Sequence, residues 1–127
     1  MCRRYRDHAA FRAVYVREAH PDDGWSALLD VLQPHTLSDR AAVADRCFKA
    51  MTYSMPLLVD EINDPAGSAY SGMPDRLYVI DRHGKVAYRS GRGPFGFKPA
   101  EMEQALVLAL LEQHLASPTA TTSPRPR

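Results

Sequence analysis

One segment carries its apolar residues at helical spacing and lies between two short runs of branched and aromatic residues, and this limits the possible folds more than any other feature of the chain. The helical segment runs from Thr36 to about Thr52, with Val43, Ala44, Cys47, Phe48 and Met51 along one face. Thr36 suits an N-cap, and Asp39 three residues on suits its capping-box partner. The flanking runs, "FRAVYVRE" from Phe11 and "MPLLVDE" from Met55, read as strands, the first covered on both faces. Downstream, "DRLYVIDRHGKVAYRS" reads as two strands about the turn Asp81-Arg82-His83-Gly84, where Gly84 is free to take positive φ. A last helix starts at Pro99 and ends near His114, with Met102, Leu106, Ala109, Leu110 and Gln113 on successive turns. "YRDHA" reads as the end of a helix that begins at or before Met1. The order helix end, strand, helix, strand, hairpin, helix predicts an α/β domain with a parallel portion and an antiparallel hairpin at one edge.

The chain has 127 residues, enough for one core and too few for two. The domain is expected over residues 1–115. Residues 116–127, rich in Pro, Ser and Thr and without periodicity, read as a disordered tail. Arginine outnumbers lysine thirteen to three, yet 15 acids are scattered among the 16 basic residues and the net charge is +1. No basic footprint for nucleic acid emerges from that balance. No apolar run approaches the ~20 residues of a membrane span, and no export leader is visible. Cys2 and Cys47 are too few for a disulfide framework, so a reducing, cytoplasmic setting is expected.

Titratable groups concentrate where the first strand ends, in "VYVREAHPDDGW" (Val14 to Trp25). Glu18 and His20 are two apart and share a side while the chain is extended, which Pro21 favours at His20. A carboxylate beside an imidazole brings the ring's titration near neutrality, and ligands gather at the carboxyl ends of parallel strands. The plain alternative is a solvated acidic loop. His35 by itself reads as a surface or capping histidine. His8, His83 and His114 read as surface residues, and the spacings match no metal-ligand pattern, so no metal or other cofactor is expected. Cys47 reads as a small hydrophobe on its helix, and Cys2 as poorly placed for reaction. "GRGPFG" (Gly91 to Gly96) has the letters of a dinucleotide motif but follows the return arm of a hairpin, so a tight structural loop is preferred. In "SGMPDRLYVID" the Met73-Pro74 bond is a candidate cis peptide that turns Met73 towards the strand-end cleft, and Arg76 offers a planar fork for a carboxylate.

Taken together, "VYVREAHPDDGW", "QPHTLSDR", "PLLVDEINDPAGSAYSGMPDRLYVI" and "GKVAYRSGRGPFGF" resemble the iodothyronine deiodinase family, a selenoenzyme branch of the thioredoxin-like fold, over about Phe11 to Leu110. The resemblance implies a thioredoxin-like mixed sheet with a carboxy-terminal β-hairpin and helix, and reductive removal of iodine from an aromatic ring by a selenolate or thiolate. It implies that Glu18 and His20 lie at the active site, that His35 joins a proton-transfer network, that Arg76 after Met73 and Pro74 helps hold the substrate, and that Tyr15 lines the pocket. Strand alternation puts Tyr15 opposite Glu18, which conflicts with that last role.

The family's nucleophile motif and the central first strand that carries it have no counterpart here. The sequence therefore reads as truncated, as when a UGA selenocysteine codon is taken for a stop and translation is restarted at Met1. The chain alone is then expected to be inactive. Expected partners are a halogenated aromatic or other redox substrate and a thiol reductant, with no nucleic acid and no membrane within these residues, and with a homodimer left open. Two other readings stand beside this one: a peroxiredoxin-like thiol oxidoreductase, and a non-catalytic thioredoxin-like binding module.

Overall fold

Strand β1, Ala13–Tyr15, pairs in parallel with β2, Leu57–Val59, in the register Ala13↔Leu57, Val14↔Leu58 and Tyr15↔Val59. The structure, a computed structural model, describes residues 1–19 and 31–116. Between the two strands runs α2, Leu37–Ala50, which packs on β2. Its start follows the capping rule: the Asp39 N–H donates to Thr36 Oγ1 (3.1 Å) and the Thr36 hydroxyl donates to Asp39 Oδ2 (2.7 Å). A four-residue helix α1, Cys2–Tyr5, precedes β1, and a five-residue helix α3, Pro65–Ala69, follows β2.

A second, separate sheet is the antiparallel pair β3, Tyr78–Ile80, and β4, Val86–Arg89, with a register shift at Val79/Ile80. Its turn is held by Asp81, whose Oδ1 accepts from the N–H groups of His83 (2.8 Å) and Lys85 (2.9 Å), and Gly84 takes the positive φ (+77°) that the sequence led one to expect. The backbone N–H of Lys85 in particular holds the Asp81 carboxyl below its ordinary titration range. Helix α4, Pro99–Ala116, covers β3 and β4 and extends slightly beyond the expected His114. The architecture is mixed α/β. Among the described residues the two sheets are not hydrogen-bonded to each other.

Packing is one-sided. Val79 (7% exposed) and Leu106 (8%) are buried between the hairpin and α4, whereas Val14 (47%) and Leu58 (51%), which face each other across β1 and β2, are half in solvent. The expectation that the first strand is covered on both faces therefore holds for one face only. Nor is any helix among the described residues long and apolar enough to cross a membrane.

What joins the elements is largely polar and buried. Arg40, in the first turn of α2, is 1% exposed. Its Nη1 donates to the carbonyls of Asp60 (3.3 Å) and Glu61 (2.5 Å) and pairs with Asp64 Oδ1 (2.7 Å). Asp60, 5% exposed, points its carboxylate at the first turn of α3, accepting from the N–H groups of Glu61 (3.0 Å), Ala66 (3.1 Å) and Gly67 (2.7 Å). Gly67 in turn lies against Val16, just past β1.

The "GRGPFG" segment is a tight loop: Gly96 N–H donates to Arg92 O (2.8 Å), and a Cβ on Gly96 would overlap the Gly91 backbone. Its Gly93 N–H donates to Asp75 O (3.2 Å), which fastens the loop to the approach to β3. Two glycine substitutions separate close approach from backbone conformation. Gly84→Ala has open space around it and is expected to lose about 1–2 kcal/mol, the penalty for the left-handed region. Gly96→Ala forces the backbone apart and is expected to lose more than Gly84→Ala in urea unfolding; the reverse order would contradict this account of the loop.

Candidate active site

Strand β1 stops at Tyr15 because the chain bends at Arg17 and Ala19 instead of continuing extended. The bend removes the parity conflict noted above. With alternation broken after Tyr15, the Tyr15 hydroxyl donates to Glu18 Oε2, and the two side chains meet. Glu18 is 8% exposed. Its other oxygen, Oε1, accepts from the Ala19 N–H (3.0 Å), and its backbone N–H and C=O are both matched by Gln33: Glu18 N–H donates to Gln33 Oε1 and Gln33 Nε2 donates to Glu18 O, both at 3.2 Å. A carboxylate so enclosed is held in place at a strand's carboxyl end.

The Tyr15 hydroxyl is pushed well above its ordinary titration range, first by burial and then by its bond to Glu18, with the Arg40 guanidinium opposing. Cys47, on α2, is drawn into the same group. Burial raises its thiol above the ordinary 9.0, the negative charge of Glu18 raises it further, and Arg46 opposes both. The thiol is thereby kept protonated, which agrees with its reading as a small hydrophobe and not a nucleophile.

His35 and Arg76 are placed by other elements. His20 lies outside the described residues. His35 is exposed just before the Thr36 cap. Met73-Pro74 is a cis peptide in the connection from α3 to β3. Gly72, the residue before it, lies against Val16, two residues from Glu18, so this connection runs beside the end of β1. Arg76 is partly buried, its Nε donating to Ser90 O (2.9 Å), while Ser90 Oγ accepts from the Leu77 N–H (2.9 Å). The hairpin thus positions Arg76, whereas β1 positions Tyr15 and Glu18. Reading the sequence missed the roles of Gln33, whose side chain matches the Glu18 backbone N–H and C=O, and of Arg40. No three His, Cys, Asp or Glu residues among those described gather as a metal site.

Comparison with known proteins bears directly on this group. The sequence profile of a family described as iodothyronine deiodinase matches residues 1–110. The chain is 38% identical over 99 residues to a thyroxine 5-deiodinase of Gallus gallus, covering 76% of this chain and 38% of that protein. It is 33% identical over 96 residues to a type I iodothyronine deiodinase of Xenopus laevis (74% and 37%) and 34% identical over 105 residues to a thyroxine 5-deiodinase of Sparus aurata (80% and 39%). The chain thus spans under two fifths of the length of these relatives.

Proximity of Glu18 to Cys47 has a measurable consequence. In a Cys2→Ser background, alkylation of Cys47 by iodoacetamide is expected to titrate above pH 9.0, and Glu18→Gln to lower that midpoint; a midpoint that ignores Glu18→Gln would separate the two groups. Folding favours the protonated forms of both Cys47 and Tyr15. Their contribution to stability is complete below pH 9.0 and is lost as the pH rises through the elevated folded-state values, so the urea midpoint is expected to fall on the alkaline side.

Proposed function

Because the chain belongs to the iodothyronine deiodinase family, we propose that it is the carboxy-terminal catalytic portion of a reductive deiodinase acting on an iodothyronine or a related halogenated aromatic. Its nucleophile is a selenolate or thiolate carried upstream of Met1. The observation that carries this reading is the enclosed Glu18 carboxylate, held by the Tyr15 hydroxyl at the carboxyl end of β1. An acid that merely decorated a loop would be solvated and unpartnered.

In the proposed reaction the chalcogenolate attacks iodine, the carbon–iodine bond breaks, and a chalcogen–iodine bond forms. The electron pair left on the ring carbon takes a proton. A dithiol then reduces the chalcogenyl iodide, releasing iodide, leaving a disulfide and restoring the nucleophile. The ring proton comes from His20 or His35, and the Glu18 carboxylate serves its transfer by favouring the protonated imidazole. Tyr15 holds Glu18 and lines the pocket. Arg76, with Met73 and Pro74 beside it, binds the substrate's carboxylate through the guanidinium edge that Ser90 leaves over.

The frame proposed is thioredoxin-like. Two observations support it: the mixed α/β order, and the presence of two separate two-stranded sheets, β1 with β2 and β3 with β4. A strand supplied from upstream would pair with both β1 and β3 and bring its nucleophile to the rim between Glu18 and Arg76. The short span of the relatives covered by this chain agrees with such a segment.

Two measurements test the reading. The nucleotides before the Met1 codon are expected to encode a strand-loop-helix segment with an in-frame TGA or a cysteine codon. The protein extended by that segment is expected to release iodide from an iodinated phenol with a dithiol reductant, and Glu18→Gln to slow this by about 10²-fold or more, the usual scale for loss of a general acid or base. Deiodination by the 127-residue chain alone would refute the upstream nucleophile, and peroxide consumption without iodide release would replace the activity.

A further inference from the structure

We propose that Arg40 is a positioning residue for the Tyr15–Glu18 pair, fixing the carboxyl ends of β1 and β2 from which that pair is held. The inference rests on the proposed role of Glu18. It starts from an anomaly: a helix first-turn arginine that local rules would leave in water is 1% exposed, and its partner Asp64 remains 22% exposed. A pair formed for surface solubility does not require the cation to be the more buried member.

The guanidinium is committed to backbone as well as to charge. Besides Asp64, its Nη1 donates to the carbonyls of Asp60 and Glu61, which follow β2 directly. The Asp60 N–H, on the preceding peptide group, donates to Tyr15 O at 2.8 Å. One residue, through two successive peptide groups, therefore connects Arg40 to Tyr15. From its side chain Asp60 holds the first turn of α3, whose Gly67 lies against Val16. Tyr15 and Val16 are thus fixed from two directions at the point where the chain turns to bring Glu18 back to the tyrosine hydroxyl.

Charge acts in the same direction as geometry. The Arg40 guanidinium favours the ionised form of Tyr15, opposing burial and Glu18. It therefore makes the hydroxyl a better donor to Glu18, against the opposing effects of burial, Glu18 and Cys47. Arg40 touches neither the proposed substrate nor the nucleophile and acts through Tyr15.

Proton NMR of the whole 127-residue chain tests this, with Tyr15 identified by Tyr15→Phe. The Tyr15 hydroxyl proton is expected far downfield and protected from solvent exchange. In Arg40→Met that resonance is expected to vanish. A role confined to general stability would lower the unfolding midpoint and leave the resonance in place; this result, in a variant whose circular dichroism is native, overturns the proposal. Should Arg40→Met not fold, Asp64→Asn decides the matter. Asparagine tolerates the left-handed backbone at position 64 (φ 54°) and leaves the guanidinium present but less anchored. The resonance is then expected to move upfield and exchange faster, and an unmoved resonance overturns the proposal. If the resonance responds while Glu18→Gln leaves iodide release by the extended protein unchanged, Arg40 positions the pair but the pair does not serve proton transfer.

Discussion

At the end of β2 the buried Arg40 guanidinium holds the Asp60 carbonyl, while the buried Asp60 carboxylate holds the first turn of α3, and the two together tie these elements to one another. Taking a guanidinium out of water costs several kcal/mol even after the surroundings relax. Here the cost is offset by two carbonyls and a carboxylate, all on the five-residue stretch from Asp60 to Asp64. Asp60 answers with three backbone N–H donors, two of them from the otherwise unpaired first turn of α3. All three contacts are made by one nitrogen, Nη1, while Nε is buried without a hydrogen-bond partner.

From that anchorage the character of the site follows. β1 is three residues long, too short to fix its own end by ladder bonds alone, and its partner β2 is equally short. The chain leaves the sheet just after the Asp60 N–H has claimed the Tyr15 carbonyl, and the turn that follows returns Glu18 to the tyrosine ring. Enclosure then does chemical work in opposite senses on neighbouring groups. It keeps the phenol and the Cys47 thiol protonated, while the carboxylate keeps acceptor bonds from Tyr15 and Ala19. Among the described residues, burial thus keeps a phenol and a thiol protonated beside a carboxylate near neutral pH.

What the sequence revealed was what short-range rules govern. Thr36 with Asp39 marks a helix start, and Asp81 with Gly84 marks a hairpin turn, because each contact closes within four residues. Cys47 falls on the apolar stripe of α2, and the raised thiol agrees with that placement. Tyr15 and Glu18 illustrate the limit of such rules. Alternation assigns them opposite faces only while the backbone stays extended, and the bends at Arg17 and Ala19 are set by Gln33, which is 15 residues from Glu18. Arg40 closes the "QPHTLSDR" segment on which the resemblance partly rests, but no short-range rule gives its role, since its three acceptors lie 20 to 24 positions away. Burial of both faces of the first strand was overread from its apolar run, since the face bearing Val14 and Leu58 is half in solvent.

That half-exposed face and the separation of the two sheets have a common physical consequence. Among the described residues β1 and β3 each pair along one edge, with β2 and β4, and their second edges have no ladder partner. Open edges of this kind attract further strands, and in the proposed frame the two would flank one gap. On the reading proposed above, the strand that fills the gap is also the one that carries the attacking chalcogen. Folding and catalysis would then be coupled: the segment that completes the sheet places its nucleophile between a carboxylate fixed by β1 and a guanidinium fixed by the hairpin. Short strands suit that arrangement, because with so few ladder bonds of their own, the flanking elements depend on Arg40, Asp60 and Ser90 to keep their ends in place for a partner inserted between them.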